Sequence, residues 1–322
     1  MYDVITFGSV TWDIFLELEK YQVVKNRKFT TNRGLCSELG TKTDVGGIRF
    51  SSGGGGTNTA VSFSNQGFKT AYCGSVGDDI PGREIIAQLQ EGGIDCSLVM
   101  KTKFKPTNHS IILNTVGERT VLAYRGASEM MGKKDIPWEK LDVKWFYLAP
   151  LSGQLARNTR DIINFAKTKG IKVAFNPGIS QLDLDEIEDI IGKVDVLILN
   201  QEEASYLTKI PFSKEKEIFA EIDKMCPGIV IMTKGEQGVV VSDGSNLYEA
   251  KPSKVKVVDR TGAGDSFGSG FVSGLIKRGS IEYAIQLGMA NANGCLQKEG
   301  AKNGLLTKSS KFKNVKIKKE KL

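Results

Sequence analysis

The sequence predicts an α/β fold, a mainly parallel sheet with helices on both faces. Three observations carry that expectation. Short apolar runs recur along the 322 residues, and helix-length segments separate them. At Asp259–Gly270 a glycine-rich loop opens an apolar helix, so the same alternation holds near the end of the chain.

Taken in order, Tyr2–Phe7 is an apolar run ending at Gly8, and a helix is expected from Ala60 to near Gly67. Ala71–Val76 reads as a strand, followed by a helix through Ile85, Ile86 and Leu89. Trp145–Leu148, Val173–Phe175, Val196–Leu199 and Ile229–Met232 are short buried-strand candidates. Segments such as Asn158–Lys169 and Asn200–Thr208 supply the helices between them. Lys254–Val258 is β-rich, and Phe267, Phe271, Leu275 and Ile276 then recur at helical spacing. Ligands in such a fold belong at the carboxyl ends of the strands. Two stretches break the pattern. Ile14–Ser52 is long and polar, and Ser110–Tyr124 reads as two strands around Val116-Gly-Glu-Arg119; the two can share one small sheet.

Composition narrows the class. A 40% hydrophobic content supports a sizeable core, no apolar run reaches the roughly 18 residues of a membrane span, and no signal-type segment opens the chain. A cytoplasmic protein with no membrane partner is expected. Five scattered cysteines without C-x-x-C pairs read as free thiols, and with His109 the only histidine a zinc cluster has too few ligands. Residues 302–322 hold eight lysines and one glutamate, a net +7 that equals the whole chain's. The basic character therefore belongs to this tail, read as a solvated or frayed terminus, and the body is not expected to bind nucleic acid.

The loop Asp259-Arg-Thr-Gly-Ala-Gly-Asp265 carries the chemistry. First-turn amides and the positive end of the helix dipole favour an anion there, and Gly262 and Gly264 remove side chains that would block it. A carboxylate at Asp265 beside bound phosphate has a use if it deprotonates an acceptor hydroxyl. The plainer reading is a first-turn acid following an ordinary turn. The loop lacks the Gly-Lys-Ser/Thr of a P-loop, and its glycine spacing is wrong for a dinucleotide fingerprint.

These residues resemble the C-terminal motif of the ribokinase-like (PfkB-type) sugar and nucleoside kinases. Gly53-Gly-Gly-Gly-Thr-Asn-Thr-Ala60, continuing through Gly67 and Val76–Gly82, resembles that family's N-terminal motif. The resemblance implies a three-layer sandwich: a core of residues 1–12, 53–98 and 127–301, a β lid of 13–52 and 99–126, and the tail at 302–322. It makes Asp265 the general base and Gly262, Ala263 and Gly264 the rest of the anion hole. It makes Asp13, Gly54 and Asn58 substrate contacts, with Asn58 able to bind a pair of hydroxyls. The ribokinase version carries a lysine among these glycines, so ribose itself is not implied. Asn200-Gln-Glu-Glu203 resembles the family's N-x-x-E motif, with Asn200 on the ATP side and Glu203 ordering water around Mg²⁺; helix capping by Asn200 is compatible with both. Thr233 and Gly235 match the nucleotide-side turn, and Asn291, within Met289–Asn293, borders the adenine by position. Asp259 and Thr261 are expected near a monovalent cation, with K⁺ stimulation, although Arg260 departs from the commonest residue between them.

The resemblance implies in-line transfer of the γ-phosphoryl group of MgATP to a primary hydroxyl of a sugar or nucleoside, and a homodimer formed through the lid. Arg125 is a candidate substrate contact that would favour a phosphorylated sugar, or else an ordinary ion pair. Two other readings stay open: a phosphosugar kinase, and a catalytically silent sugar- or nucleotide-sensing protein on the same fold.

Overall fold

The computed structural model describes residues 1–29, 32–115 and 118–322. The chain opens with β1 (Tyr2–Phe7), β2 (Thr11–Leu18), β3 (Gln22–Lys25), β4 (Arg33–Cys36) and β5 (Val45–Gly53). Helix α1 (Gly55–Asn65), β6 (Thr70–Gly77), α2 (Ile80–Glu91) and β7 (Val99–Thr102) follow, then β8 (Asn108–Thr115) and β9 (Glu118–Tyr124). The central part holds β10 (Val143–Leu148), α3 (Gly153–Arg157), α4 (Thr159–Lys169), β11 (Lys172–Phe175), α5 (Ile179–Leu182) and α6 (Ile187–Ile191). It continues with β12 (Val196–Asn200), α7 (Gln201–Thr208), α8 (Glu215–Met225) and β13 (Ile229–Thr233). The last elements are β14 (Val239–Ser242), β15 (Asn246–Ala250), α9 (Ala263–Arg278), α10 (Ile281–Leu296) and β16 (Ile317–Lys321).

Ten strands form the central sheet in the order β16-β15-β14-β13-β12-β11-β10-β1-β6-β7. The pairs from β7 across to β13 are parallel, and β13 to β16 are antiparallel. Period-2 alternation sends neighbouring residues to opposite faces. Ile5, Phe7, Phe146 and Leu148 enter one core with Ile162, Ile190 and Ile218, while Val4, Tyr147 and Ile198 enter the other with Phe63, Phe267 and Phe271. Helices thus cover both faces, as three layers require.

A separate four-stranded sheet, β5-β2-β8-β9, joins the two polar excursions through the parallel pairing of β2 with β8. Register divides it into two faces. Ile14, Leu16, Ile48, Phe50, Leu122 and Tyr124 share the outer one, with Trp12 at its end packed against a core cluster that includes Ile85, Ile86 and Leu89 of α2, whereas Asp13, Ser51, Ser110 and Arg119 share the opposite face. The tip expected at Val116-Gly-Glu-Arg119 includes Val116 and Gly117, which lie outside the described residues.

Three expectations need correction. Strand β7, assigned to the lid by the 99–126 boundary, pairs with β6 at the edge of the central sheet. Residues 302–322 are no frayed tail, because β16 pairs with β15 over five residues. Lys254–Val258 forms no strand; it runs as irregular chain along a cleft.

Candidate active site

Gly54 and Gly262 start the two helices that build the site, and each adopts a left-hand-side φ, +96° and +76°. A Cβ at Gly54 would strike the Ser9 carbonyl, and one at Gly262 would strike Ala301, so only glycine fits. Helices α1 and α9 pack together with their N-termini at the carboxyl end of the parallel strands. This brings Asn58 and Asp265, 207 positions apart, into contact: Asn58 Nδ2 donates to Asp265 Oδ2 at 2.8 Å. Burial pushes the Asp265 carboxyl up from its ordinary value, and Asn58 and the Lys302 charge partly oppose that. The other end of the Asn58 amide, Oδ1, is buried and has no hydrogen-bond partner. Gly264 leaves open space beside the first-turn amides, which have no intrahelical acceptor.

Asp13 enters from the lid, only 8% exposed. Burial raises its pKa, and the hydroxyls of Ser110 and Thr11 partly offset this. Arg125 is exposed where β9 ends.

On the other side of the anion loop lies a cleft of about 610 Å³ lined by Thr233, Gly235, Val257, Gly264, Phe267 and Ala292. Gly264 belongs to both the cleft and the loop, so the two spaces are continuous. Asn291 does not join them. It is fully buried, its amide donating to Ser62 Oγ at 3.0 Å and the Ser266 carbonyl at 2.7 Å while its oxygen accepts from the Leu306 amide at 2.8 Å. It ties α10 to α1, α9 and the C-terminal segment, and Ala292 and Asn293 take the wall instead.

Asn200 sits beside Thr233 at adjacent strand ends and caps α7. Asn200 Oδ1 accepts from the Glu203 amide at 2.8 Å, and Glu203 Oε2 accepts from the Asn200 amide at 2.9 Å, a reciprocal capping box. Burial, then the charges of Glu202 and Asp265, push the Glu203 carboxyl upward. Among the described residues no three His, Cys, Asp or Glu side chains cluster to hold a metal directly. A carboxylate under this repulsion fits Mg²⁺ held through water, the way that ion ordinarily binds.

The pair expected at a monovalent cation is already engaged. Asp259 Oδ1 accepts from the Thr261 amide at 2.9 Å and from Thr261 Oγ1 at 2.7 Å, and Oδ2 accepts from the Gly300 amide at 3.0 Å. From lid strand β9, Arg119 reaches Asp259 Oδ1 at 3.1 Å and Thr261 Oγ1 at 2.6 Å. The Thr261 carbonyl faces Cys295 Sγ at 3.4 Å. With the lid in this position these residues do not fit K⁺. Arg119 and Lys302 are thus two cations at the site that sequence reasoning missed, the first because it sits on an excursion, the second because composition assigned it to a tail.

The description pfkB family carbohydrate kinase matches residues 26–308. An uncharacterized sugar kinase of Archaeoglobus fulgidus is 30% identical over 254 residues, covering 76% of this chain and 98% of its own length. A cytidine kinase of Thermococcus kodakarensis is 28% identical, covering 77% and 88%. The solved structure of Arabidopsis thaliana ribokinase complexed with ribose and ATP superposes with a TM-score of 0.79 at 21% identity, covering 95% and 96%. Glycine-started helices meeting at Asn58 and Asp265, a cleft opening onto their anion loop, and a family match across most of the sequence converge on one conclusion: this chain belongs to the pfkB family of carbohydrate kinases.

Proposed function

We propose that the protein transfers the γ-phosphoryl group of ATP to a primary hydroxyl of a sugar or nucleoside. The observation that carries this reading is Asp265: a carboxylate at the positive end of α9, with the cleft on one side and the Asn58 and Asp13 side chains on the other. Nucleotide is bound in the cleft past Thr233 and Gly235, with its γ-phosphate at the amides of Gly262–Asp265. Asn58, whose buried Oδ1 lacks a partner, and Asp13 orient the acceptor hydroxyls. Asp265 takes the acceptor proton; the elevated pKa that burial confers makes it a better base than an exposed aspartate. The amides stabilise charge on the transferring group from fixed positions. Glu203 would hold Mg²⁺ through water, and that ion, when bound, neutralises phosphate charge. The presence of Asp265, Gly262 and Gly264 together supports turnover over a silent sensing role.

Two further readings accompany this one. The outer lid face exposes Ile48, Phe50, Leu122 and Tyr124, at 59%, 53%, 54% and 47%, which supports a homodimer formed through the lid. The five cysteines are unpaired thiols, consistent with a reducing, cytoplasmic setting.

The test is MgATP-dependent ADP release with D-ribose, 2-deoxyribose, fructose, fructose 6-phosphate, cytidine and adenosine as acceptors. A signal with one of them establishes the activity and names the class. ATP binding without ADP release across that panel overturns it.

A further inference from the structure

Lys302 follows Ala301 in the loop that packs against Gly262, and its partly buried side chain reaches Ser52 on β5. Its Nζ donates to Ser52 Oγ at 2.9 Å, and the Ser52 hydroxyl donates to Gln88 Oε1 at 2.7 Å, which leaves the Ser52 lone pairs for the ammonium. Among the described residues this is the only hydrogen bond Lys302 makes, and no carboxylate lies within 4.0 Å of it. The partly buried side chain therefore keeps two of its three ammonium donors without a protein acceptor, available to a ligand oxygen. The charged groups that face it are Asp13 from β2 and Asp265 from α9, with Asp259 acting on Asp13 from the loop before α9. Both neighbours are acids already assigned to the acceptor. Each acts on Lys302 through charge and neither bonds it, which leaves the remaining ammonium donors to a ligand oxygen.

We propose, resting on the kinase reading above, that Lys302 is an acceptor-contacting residue: its ammonium, held by Ser52, donates to an acceptor oxygen lying between Asp13 and Asp265. The class of acceptor this selects is a polyol with a second oxygen next to the reacting hydroxymethyl group, since one oxygen must answer Asp265 and another Asp13. Burial lowers the Lys302 pKa to about 7, and the two carboxylates raise it only in part. The free protein loses this donor as pH rises through that value, so kcat/KM for the acceptor falls there.

The experiment compares wild type with Lys302→Met and Lys302→Arg, using whichever acceptor of the panel is phosphorylated and measuring KM for acceptor and for ATP from pH 6 to 9. Loss of a charged donor in Lys302→Met is expected to raise acceptor KM by about 10- to 100-fold, with ATP KM within about twofold, and to flatten the pH dependence near neutrality. Lys302→Arg, which keeps its charge throughout, restores much of the acceptor KM and holds it to higher pH. An active wild type with a Lys302→Met variant of unchanged acceptor KM and pH profile overturns this assignment alone. So does a variant in which both KM values rise together with a fall in melting temperature, the signature of a structural lysine. A wild type that phosphorylates no acceptor refutes the kinase reading and this role with it.

Discussion

Replacing Asp265 with asparagine separates base chemistry from architecture. The substitution keeps the shape, and an asparagine oxygen can still accept from Asn58 Nδ2, the bond now made at 2.8 Å. What disappears is the acceptor for the substrate proton. General-base action is worth about 10²- to 10⁴-fold, or about 2.7 to 5.4 kcal/mol of barrier. Stability should move the other way. A carboxyl whose folded pKa is raised holds its proton more tightly in the folded state, so its contribution favours folding at low pH and is lost as pH climbs through the folded value. At pH 7 the charged group is a burden that asparagine lacks, and the melting temperature should hold or rise. The assay is ADP release coupled to NADH oxidation, beside thermal melts at pH 5 and 7. Turnover within about fivefold of wild type would refute the base assignment, because the smallest effect of a lost base is about 100-fold. A drop in melting temperature alongside lost activity would mean that Asp265 serves the fold.

Arg119→Ala releases Asp259 Oδ1 and Thr261 Oγ1; wild-type turnover should be the same in K⁺ and choline buffers, and the variant should be slower and stimulated by K⁺. Equal indifference in both proteins would remove Arg119 from any cationic role. Asn291→Ala strands the Leu306 amide, while the Ser62 hydroxyl keeps its bond from Ser269 Oγ, and the change should cost about 1 to 3 kcal/mol in urea melts with ATP KM within about twofold. Gly262→Ala must place a Cβ at positive φ against Ala301, so a loss of about 1 to 3 kcal/mol and of most turnover is expected, checked by the same melts and assay.

The parallel part of the fold was legible because its strands are short apolar runs buried on both faces, and their ends agree with the expected spans to within a residue or two at Trp145–Leu148 and Ile229–Met232. Lys254–Val258 misled because β-branched residues spaced along a cleft wall carry the same alternation as a strand, and only the lack of a neighbouring ladder distinguishes them. The two glycine loops were readable as local motifs, but their meeting at Asn58 and Asp265 is a product of helix packing. Asn291 shows the limit of position as a guide: one residue along α10 separates a buried anchor from the cleft wall at Ala292. Lys302 and Arg119 carry no motif, and each acquires its role from chain folded against it from far away in sequence.

The last strand gives the lysine-rich end a different meaning. β16 is the terminal member of the ten-stranded sheet, with one side of its backbone laddered to β15 and the other open. An open ladder is a template on which another chain can grow. Here it is spelled Ile-Lys-Lys-Glu-Lys, and Lys318 and Lys319 are about half-exposed or more, at 62% and 48%. Any strand approaching to extend the sheet would have to strip water from ammonium groups and sit against like charge in a second copy. Part of the chain's surplus positive charge, which on composition alone suggested a loose end, thus fences the β16 border of the sheet against growth.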